Sequence, residues 1–79
     1  MKKIIEEFEE VVLTNDLPKF GLRAGDVGVV VDIHGNNAGY TLEFMTRDGA
    51  TVAVVTLNAD QVRPIGEREM MQSRPLEAI

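Results

Sequence analysis

The chain has 79 residues, a formal net charge of −5 and no cysteine, which excludes disulfides and thiolate metal sites. A single domain of this size buries only about 60% of the surface its unfolded chain exposes, so we expect modest stability and consider a homo-oligomer one route to further burial. No apolar run approaches the roughly 20 residues of a membrane-spanning helix, and the early acidic residues do not fit a signal peptide, so we expect a cytoplasmic protein without a membrane partner.

The sequence divides into three zones, which we predict to be an N-terminal lead-in over residues 1–10, a β-rich domain over residues 11–65 and a C-terminal tail over residues 66–79. The lead-in mixes apolar and acidic residues at a spacing that fits a short amphipathic helix or a direct approach to the first strand. Both interpretations stay open at this point.

Two strands are predicted in the first half of the domain. The first covers residues 11–14 and is followed by turn residues and by Pro18, which lacks the N–H that a central ladder position needs. In the second strand, one parity is predicted to face the core: Val27, Val29, Val31 and Ile33. The opposite parity is predicted to face outward, with Gly28 allowing the strand to bend: Gly28, Val30 and Asp32.

A turn over residues 35–39, rich in glycine and asparagine, leads into the third predicted strand. Apolar residues alternate with polar ones in this strand and are predicted to be buried: Tyr40, Leu42 and Phe44. Residues 47–49, Arg-Asp-Gly, then predict a tight hairpin.

The fourth predicted strand, residues 50–57, is apolar on both parities, so its inward face stays undecided. Residues 58–61 predict a single helical turn, and residues 62–65 a short edge strand that contains a proline. Five short strands with a helical turn before the last predict an all-β, five-stranded SH3-like barrel.

Between Phe8 and Pro64 the chain carries a characteristic series of turn glycines, one proline and apolar core positions. They are Val11-Val12-Leu13-Thr14, Asp16-Leu17-Pro18, Gly21-Leu22, Gly25-Asp26-Val27-Gly28, Val30-Val31, Glu43-Phe44, Asp48-Gly49 and Val55-Thr56-Leu57. This pattern resembles the small bacterial family catalogued as domain of unknown function 4926. The resemblance implies an SH3-like barrel and a stand-alone protein that acts with a separately encoded partner, such as a toxin or a nuclease.

The distribution of basic residues disfavours nucleic acid as a partner. A phosphate backbone is bound by clustered Lys and Arg, whereas the basic residues of the domain are scattered among acids: Lys19, Arg23, Arg47 and Arg63. The glycine-marked entry to the second strand is also similar to the barrel motif of some ribosomal and transcription proteins. An RNA-contacting barrel therefore remains an alternative function.

Catalytic, cofactor and metal sites are not indicated. His34 is the only histidine, and it has no second ligand type at a suitable spacing. Nothing in the spacing of the domain's carboxylates selects an acid and base pair among Asp26, Asp32, Glu43 and Asp60. Asp26 is instead predicted to accept backbone N–H groups in its turn. We therefore expect a protein that is not an enzyme and has no cofactor.

The candidate partner contacts lie in one loop and in the tail: Pro18, Phe20, Met70, Met71 and Leu76. In the same loop, Leu17 and Leu22 are predicted to plug one end of the barrel. The tail contains a helix-forming run ended by Pro75 and is either a frayed terminus or an adaptable apolar contact.

The function expected from these features is a non-catalytic protein-binding module, antitoxin-like or an accessory to a separately encoded protein. The acidic charge favours a basic protein partner. A small ligand-binding or enzyme-accessory subunit is the remaining alternative.

Overall fold

A computed structural model describes residues 4–76, which form five β-strands and two short 3₁₀ helices. In chain order the elements are β1 (Glu10–Leu13), η1 (Pro18–Phe20), β2 (Val27–His34), β3 (Gly39–Met45), β4 (Thr51–Asn58), η2 (Ala59–Gln61) and β5 (Val62–Pro64). Within the described range, no helix is long and apolar enough to cross a membrane.

The strands form one antiparallel sheet in the order β4-β3-β2-β1-β5. The all-β class, the five strands and the helical turn before the last strand are confirmed. The predicted barrel closure is corrected, because no ladder between residues 4 and 76 joins β4 to β5. β5 is only three residues long and ends in Pro64, so it offers few groups with which to close the sheet.

The predicted inward face of β2 is wrong for its first half. Gly28 and Val30 are buried, and Val30 belongs to the core. The ring of Phe44 occupies the space beside Gly28, where an added Cβ would lie 2.8 Å from the ring's Cε2. A register shift between Val30 and Asp32 then changes the parity, and Ile33 packs against the core as predicted. Valines on both parities left this choice to tertiary packing.

β3 and β4 form the longest hairpin of the sheet. The predicted burial of Tyr40, Leu42 and Phe44 is confirmed, with exposed fractions of 4% or less. On β4, Val55 and Leu57 are buried whereas Val54 is 57% exposed, which settles the inward face that the sequence left open.

Residues of positive φ lie in the predicted turns. Gly35 and Asn37 adopt φ values of 59° and 62° before β3, and Gly49 adopts 91° before β4. The Asn37 side chain also donates a hydrogen bond of 3.0 Å to the carbonyl of Ile5. This bond connects the N-terminal segment to the turn.

The described part of the lead-in, residues 4–9, contains no helix and approaches β1 directly. Ile5 is 6% exposed and belongs to the core cluster. The amide of Phe8 donates to the carbonyl of Val30 at 2.6 Å, so the segment runs beside β2 before β1 begins. So short a segment forms no stable helix by itself, and packing against the sheet decides its path.

Candidate functional site

The face of the sheet opposite the core, here called the outer face, carries valine and carboxylate side chains. Across the strands, Glu10 of β1 pairs with Val29 of β2, Val29 with Glu43 of β3, and Glu43 with Val54 of β4. Side chains alternate along a strand, so these four lie away from the core. No ion pair within residues 4–76 neutralises either carboxylate of this row. The outer face therefore combines apolar contact area with negative charge.

Residues 66–76, here called the C-terminal segment, run back over part of the outer face without regular secondary structure. Val12 of β1 lies outside the core cluster and yet is only 6% exposed, and it lines a small cavity together with Met71 and Gln72 of the C-terminal segment. The helix-forming run expected before Pro75 is therefore wrong. A run of fewer than about 12 residues nucleates a helix poorly, and here it packs on the strands instead.

Asp26 and Arg74 attach the end of the C-terminal segment to the domain. Arg74 Nε donates to Asp26 Oδ1 at 2.9 Å, and Arg74 Nη2 donates to Asp26 Oδ2 at 2.5 Å. This is the bidentate geometry in which a guanidinium group binds a carboxylate. Gln72 Nε2 adds a bond of 2.7 Å to Oδ1, and Arg74 Nη2 also donates to the carbonyl of Gly21 at 3.0 Å. The ion pair is well shielded, with side-chain exposures of 13% for Asp26 and 17% for Arg74.

The same carboxylate organises its own turn. The Arg23 amide donates to Asp26 Oδ2 at 2.8 Å, which confirms the predicted turn role. Burial acts to raise the pKa of Asp26, but the hydrogen bonds from Arg74, the Arg23 amide and Gln72 outweigh it and hold the pKa below its usual value. Asp26 therefore stays ionised at neutral pH and joins the turn to the C-terminal segment.

A second bidentate ion pair attaches the beginning of the C-terminal segment to β5. Arg63 of β5 donates from Nη1 and Nη2 to the two carboxylate oxygens of Glu69, at 2.6 and 2.7 Å. The Gly66 amide donates to Glu69 Oε1 at 2.6 Å. The hydrogen bonds from Arg63, followed by that from Gly66, lower the pKa of Glu69 to about 2. Both ends of the segment are thus held by arginine and carboxylate groups.

Between the C-terminal segment and the outer face lies a groove of about 640 Å³, here called the outer-face groove. Its strand side includes valines and the two carboxylates of the outer face: Glu10, Val27, Val29, Glu43 and Val52. Its rim carries exposed apolar side chains, with Met45 46%, Met71 52% and Leu76 55% exposed.

The predicted contact residues separate into three places. Met71 and Leu76 line the outer-face groove, while Met70 is 95% exposed beside it. Pro18 and Phe20 lie on η1 and do not line the groove, and Phe20 is 39% exposed.

The two leucines next to η1 point to the core. Leu22 is 3% exposed, Leu17 packs partly buried against the core cluster, and their backbones form an isolated bridge. Both leucines therefore pack inward against the core rather than lying free, while a plug of a barrel end stays a prediction.

The single histidine is engaged with a neighbouring strand. His34 Nε2 lies 2.7 Å from Thr41 Oγ1 and 3.8 Å from a carboxylate oxygen of Asp32. Among residues 4–76, no three His, Cys, Asp or Glu side chains come together as a metal site would require. Glu43 Oε2 accepts a hydrogen bond of 2.6 Å from Thr51 Oγ1. His34 with Thr41 and Glu43 with Thr51 are therefore cross-strand pairs, whereas Asp32 lies on the same strand as His34.

Sequence reasoning missed the pairing of Asp26 with Arg74, which are 48 residues apart, and that of Arg63 with Glu69. No local periodicity reports a pair 48 residues apart, and the six-residue spacing of Arg63 and Glu69 matches no regular helix or strand pattern. The only available signal was that Arg74 directly precedes Pro75 in a tail that also carries apolar residues.

A model of the family described as "Domain of unknown function (DUF4926)" matches residues 7–64. The chain belongs to the DUF4926 family. Comparison with curated proteins and with solved structures gives no match. The DUF4926 match includes Asp26, Arg63 and the strand side of the outer-face groove, and it ends before the C-terminal segment. The groove therefore has one wall inside the family domain and one wall outside it.

Proposed function

We propose that this DUF4926 protein is a non-catalytic protein-binding module whose outer-face groove receives an apolar segment with basic residues from a separately encoded partner. The observation that carries the proposal is the rim of exposed apolar side chains around a wall that holds Glu10 and Glu43. Monomeric surfaces seldom gather exposed apolar side chains at one place without a binding role. The carboxylates supply the charge that a basic partner complements.

The composition of the groove favours a protein over a rigid small ligand. Its wall beyond the DUF4926 match is a segment without regular structure, and its rim contains two methionines, Met45 and Met71. Methionine side chains adapt to irregular apolar surfaces, which is typical of protein-binding sites. An apolar segment flanked by Lys or Arg would satisfy both the rim and the carboxylates.

We also infer that the domain is an open variant of the SH3-like barrel class, in which β4 and β5 do not pair within residues 4–76. The antiparallel order β4-β3-β2-β1-β5, with η2 placed before β5, supports this classification. The register shift in β2 supports it further, because a bulge bends a strand and lets one sheet curve around a small core.

Capture from native lysate with matched variants tests the proposed function. Wild type and Met70→Glu are expected to retain the same stoichiometric protein, whereas Met45→Glu loses it, because Met45 lines the groove and Met70 projects into solvent. Both substitutions add one negative charge to an exposed methionine, and unfolding curves check that both variants are folded. Equal capture by all three proteins would contradict the proposal.

Two other outcomes would replace it. Salt-sensitive recovery of RNA by wild type would favour the RNA-contacting barrel. A saturable rise in melting temperature with a small molecule, abolished by Met45→Glu, would favour a ligand-binding subunit.

A further inference from the structure

Strand β4 has an outer edge that pairs with no strand in the described part of the chain. It is eight residues long and holds neither a charged residue nor a proline. Edge strands of monomeric proteins are commonly short, charged or interrupted by proline, because a free row of backbone N–H and C=O groups pairs readily with another strand. β4 has none of these three protections, and its one irregularity is the register shift near its start, opposite Phe44 and Met45.

The opposite edge of the sheet is protected in each of these ways. β5 has three residues and ends at Pro64. Its Arg63 is charged and is held by Glu69 of the C-terminal segment. The contrast between the two edges therefore singles out β4 as the surface able to add a strand.

We propose that β4 pairs antiparallel with β4 of a second copy of this chain, so that two sheets join across a two-fold axis. An antiparallel pair of identical strands repeats its hydrogen bonds on both sides of such an axis, which makes the edge complementary to itself. Val54, in the middle of β4 and 57% exposed on the outer face, lies near the axis and is covered by the second copy.

Charges at the two ends of β4 fit a second copy. Arg47 in the turn before β4 and Asp60 in η2 after it are exposed, and neither side chain forms a hydrogen bond or ion pair within residues 4–76. Antiparallel pairing places Arg47 of each copy at the same end of the interface as Asp60 of the other copy. Opposite charges then meet at both ends of the interface. Because β4 itself holds no charged residue, the strand pairing brings no like charges of the two acidic chains together within it.

Sedimentation equilibrium of the full chain tests the pairing. Wild type and Met70→Lys are expected to be dimers that dissociate on dilution, whereas Val54→Lys raises the dimer dissociation constant by roughly tenfold or more. Both substitutions replace an exposed apolar side chain with lysine. A wild type that is monomeric at all concentrations, or a Val54→Lys variant that dimerises like wild type, would overturn the proposal.

Disulfide cross-linking provides a second readout, since the chain has no cysteine of its own. Single cysteines at Val52, beside the register shift, and at the outer-face positions Val54 and Thr56 are expected to cross-link with a maximum at the position nearest the two-fold axis, because a disulfide needs the two Cβ atoms about 4 Å apart. Met70→Cys gives the level due to random collision. Cross-linking at all three strand positions no greater than at Met70→Cys would overturn the pairing. Val54 does not line the outer-face groove, although Arg47 and Val52 do, so cross-linking at Val54 and partner capture through Met45 probe different residues.

Discussion

At the scale of single residues, Gly28 and Phe44 determine which face of β2 is buried. The strand contains valines on both parities, so its hydrophobic pattern does not choose a face. The glycine faces inward because the Phe44 ring, itself 3% exposed, fills the space that a side chain would take. A large side chain on β3 is thus accommodated by the smallest residue on β2.

This contact predicts that Gly28→Ala destabilises the protein. The new Cβ would meet Phe44 Cε2 at 2.8 Å and Cζ at 2.9 Å, and the ring is enclosed by core side chains, so the expected loss is about 1 to 3 kcal/mol in the free energy of unfolding. Urea unfolding measures the loss. The loss of unfolding free energy in the Gly28→Ala, Phe44→Leu double variant should be smaller than the sum of the losses in the two single variants. A Gly28→Ala variant within about 0.5 kcal/mol of wild type would contradict this packing.

At the scale of elements, the C-terminal segment takes its place through two arginine and carboxylate pairs rather than through secondary structure. It covers Val12 and forms one wall of the outer-face groove. Because the segment has no regular secondary structure of its own, its position depends on Asp26 and Arg63, which both belong to the family domain. Conditions that protonate Asp26 should therefore loosen this wall.

Asp26→Asn is expected to lower the stability at neutral pH by about 1 kcal/mol, after allowance for solvent screening at a partly exposed site. The pKa of Asp26 is lower in the folded protein than its usual value of 3.8, so its ionised form stabilises the folded state above that value. This contribution is lost as the pH falls from 3.8 through the folded-state pKa. The difference in unfolding free energy between wild type and Asp26→Asn should shrink over the same interval.

Glu67→Gln is the matched control for this pH experiment. The Glu67 side chain is exposed in the C-terminal segment and forms no hydrogen bond or ion pair within residues 4–76. Its substitution should change stability much less at neutral pH. If the difference in unfolding free energy between wild type and Asp26→Asn stayed constant down to pH values well below 3.8, this result would argue against the ion pair with Arg74.

At the scale of the whole molecule, the sheet formed within residues 4–76 has one protected edge and one edge without a neighbouring strand, and the core is small. A chain of this length has little apolar surface to bury, so the proposed strand pairing would contribute a large share of its stability. The proposed dimerisation through β4 and the proposed partner binding in the outer-face groove would use adjoining surfaces, since Val54 lies outside the groove lining whereas Arg47 and Val52 belong to it.

If β4 pairs with a second copy, the melting temperature should rise with protein concentration, because association stabilises only the folded state. Calorimetry of wild type over a dilution series measures the effect. Val54→Lys should show a melting temperature that is nearly independent of concentration, and Met70→Lys should behave like wild type. A wild-type melting temperature that does not change with protein concentration would contradict the proposed dimer.

The all-β class, the positions of the turns and the family follow from local features of the chain. The positive-φ residues Gly35, Asn37 and Gly49, and the alternation of Tyr40, Leu42 and Phe44, act within a few residues of themselves, so the sequence displays them directly. Met71 and Leu76 were also recognisable as candidate contacts, because they are apolar residues in a polar tail.

Other features depend on contacts between distant parts of the chain, and only the tertiary structure decided them. The inward face of β2 depends on the Phe44 ring, that of β4 on its pairing with β3, and the groove on the bond between Asp26 and Arg74, 48 residues apart. The open sheet likewise depends on the different lengths and protection of β4 and β5. Local patterns specify backbone geometry and apolar periodicity, whereas the choice of face, edge and partner depends on the free energy of packing between segments far apart in the sequence.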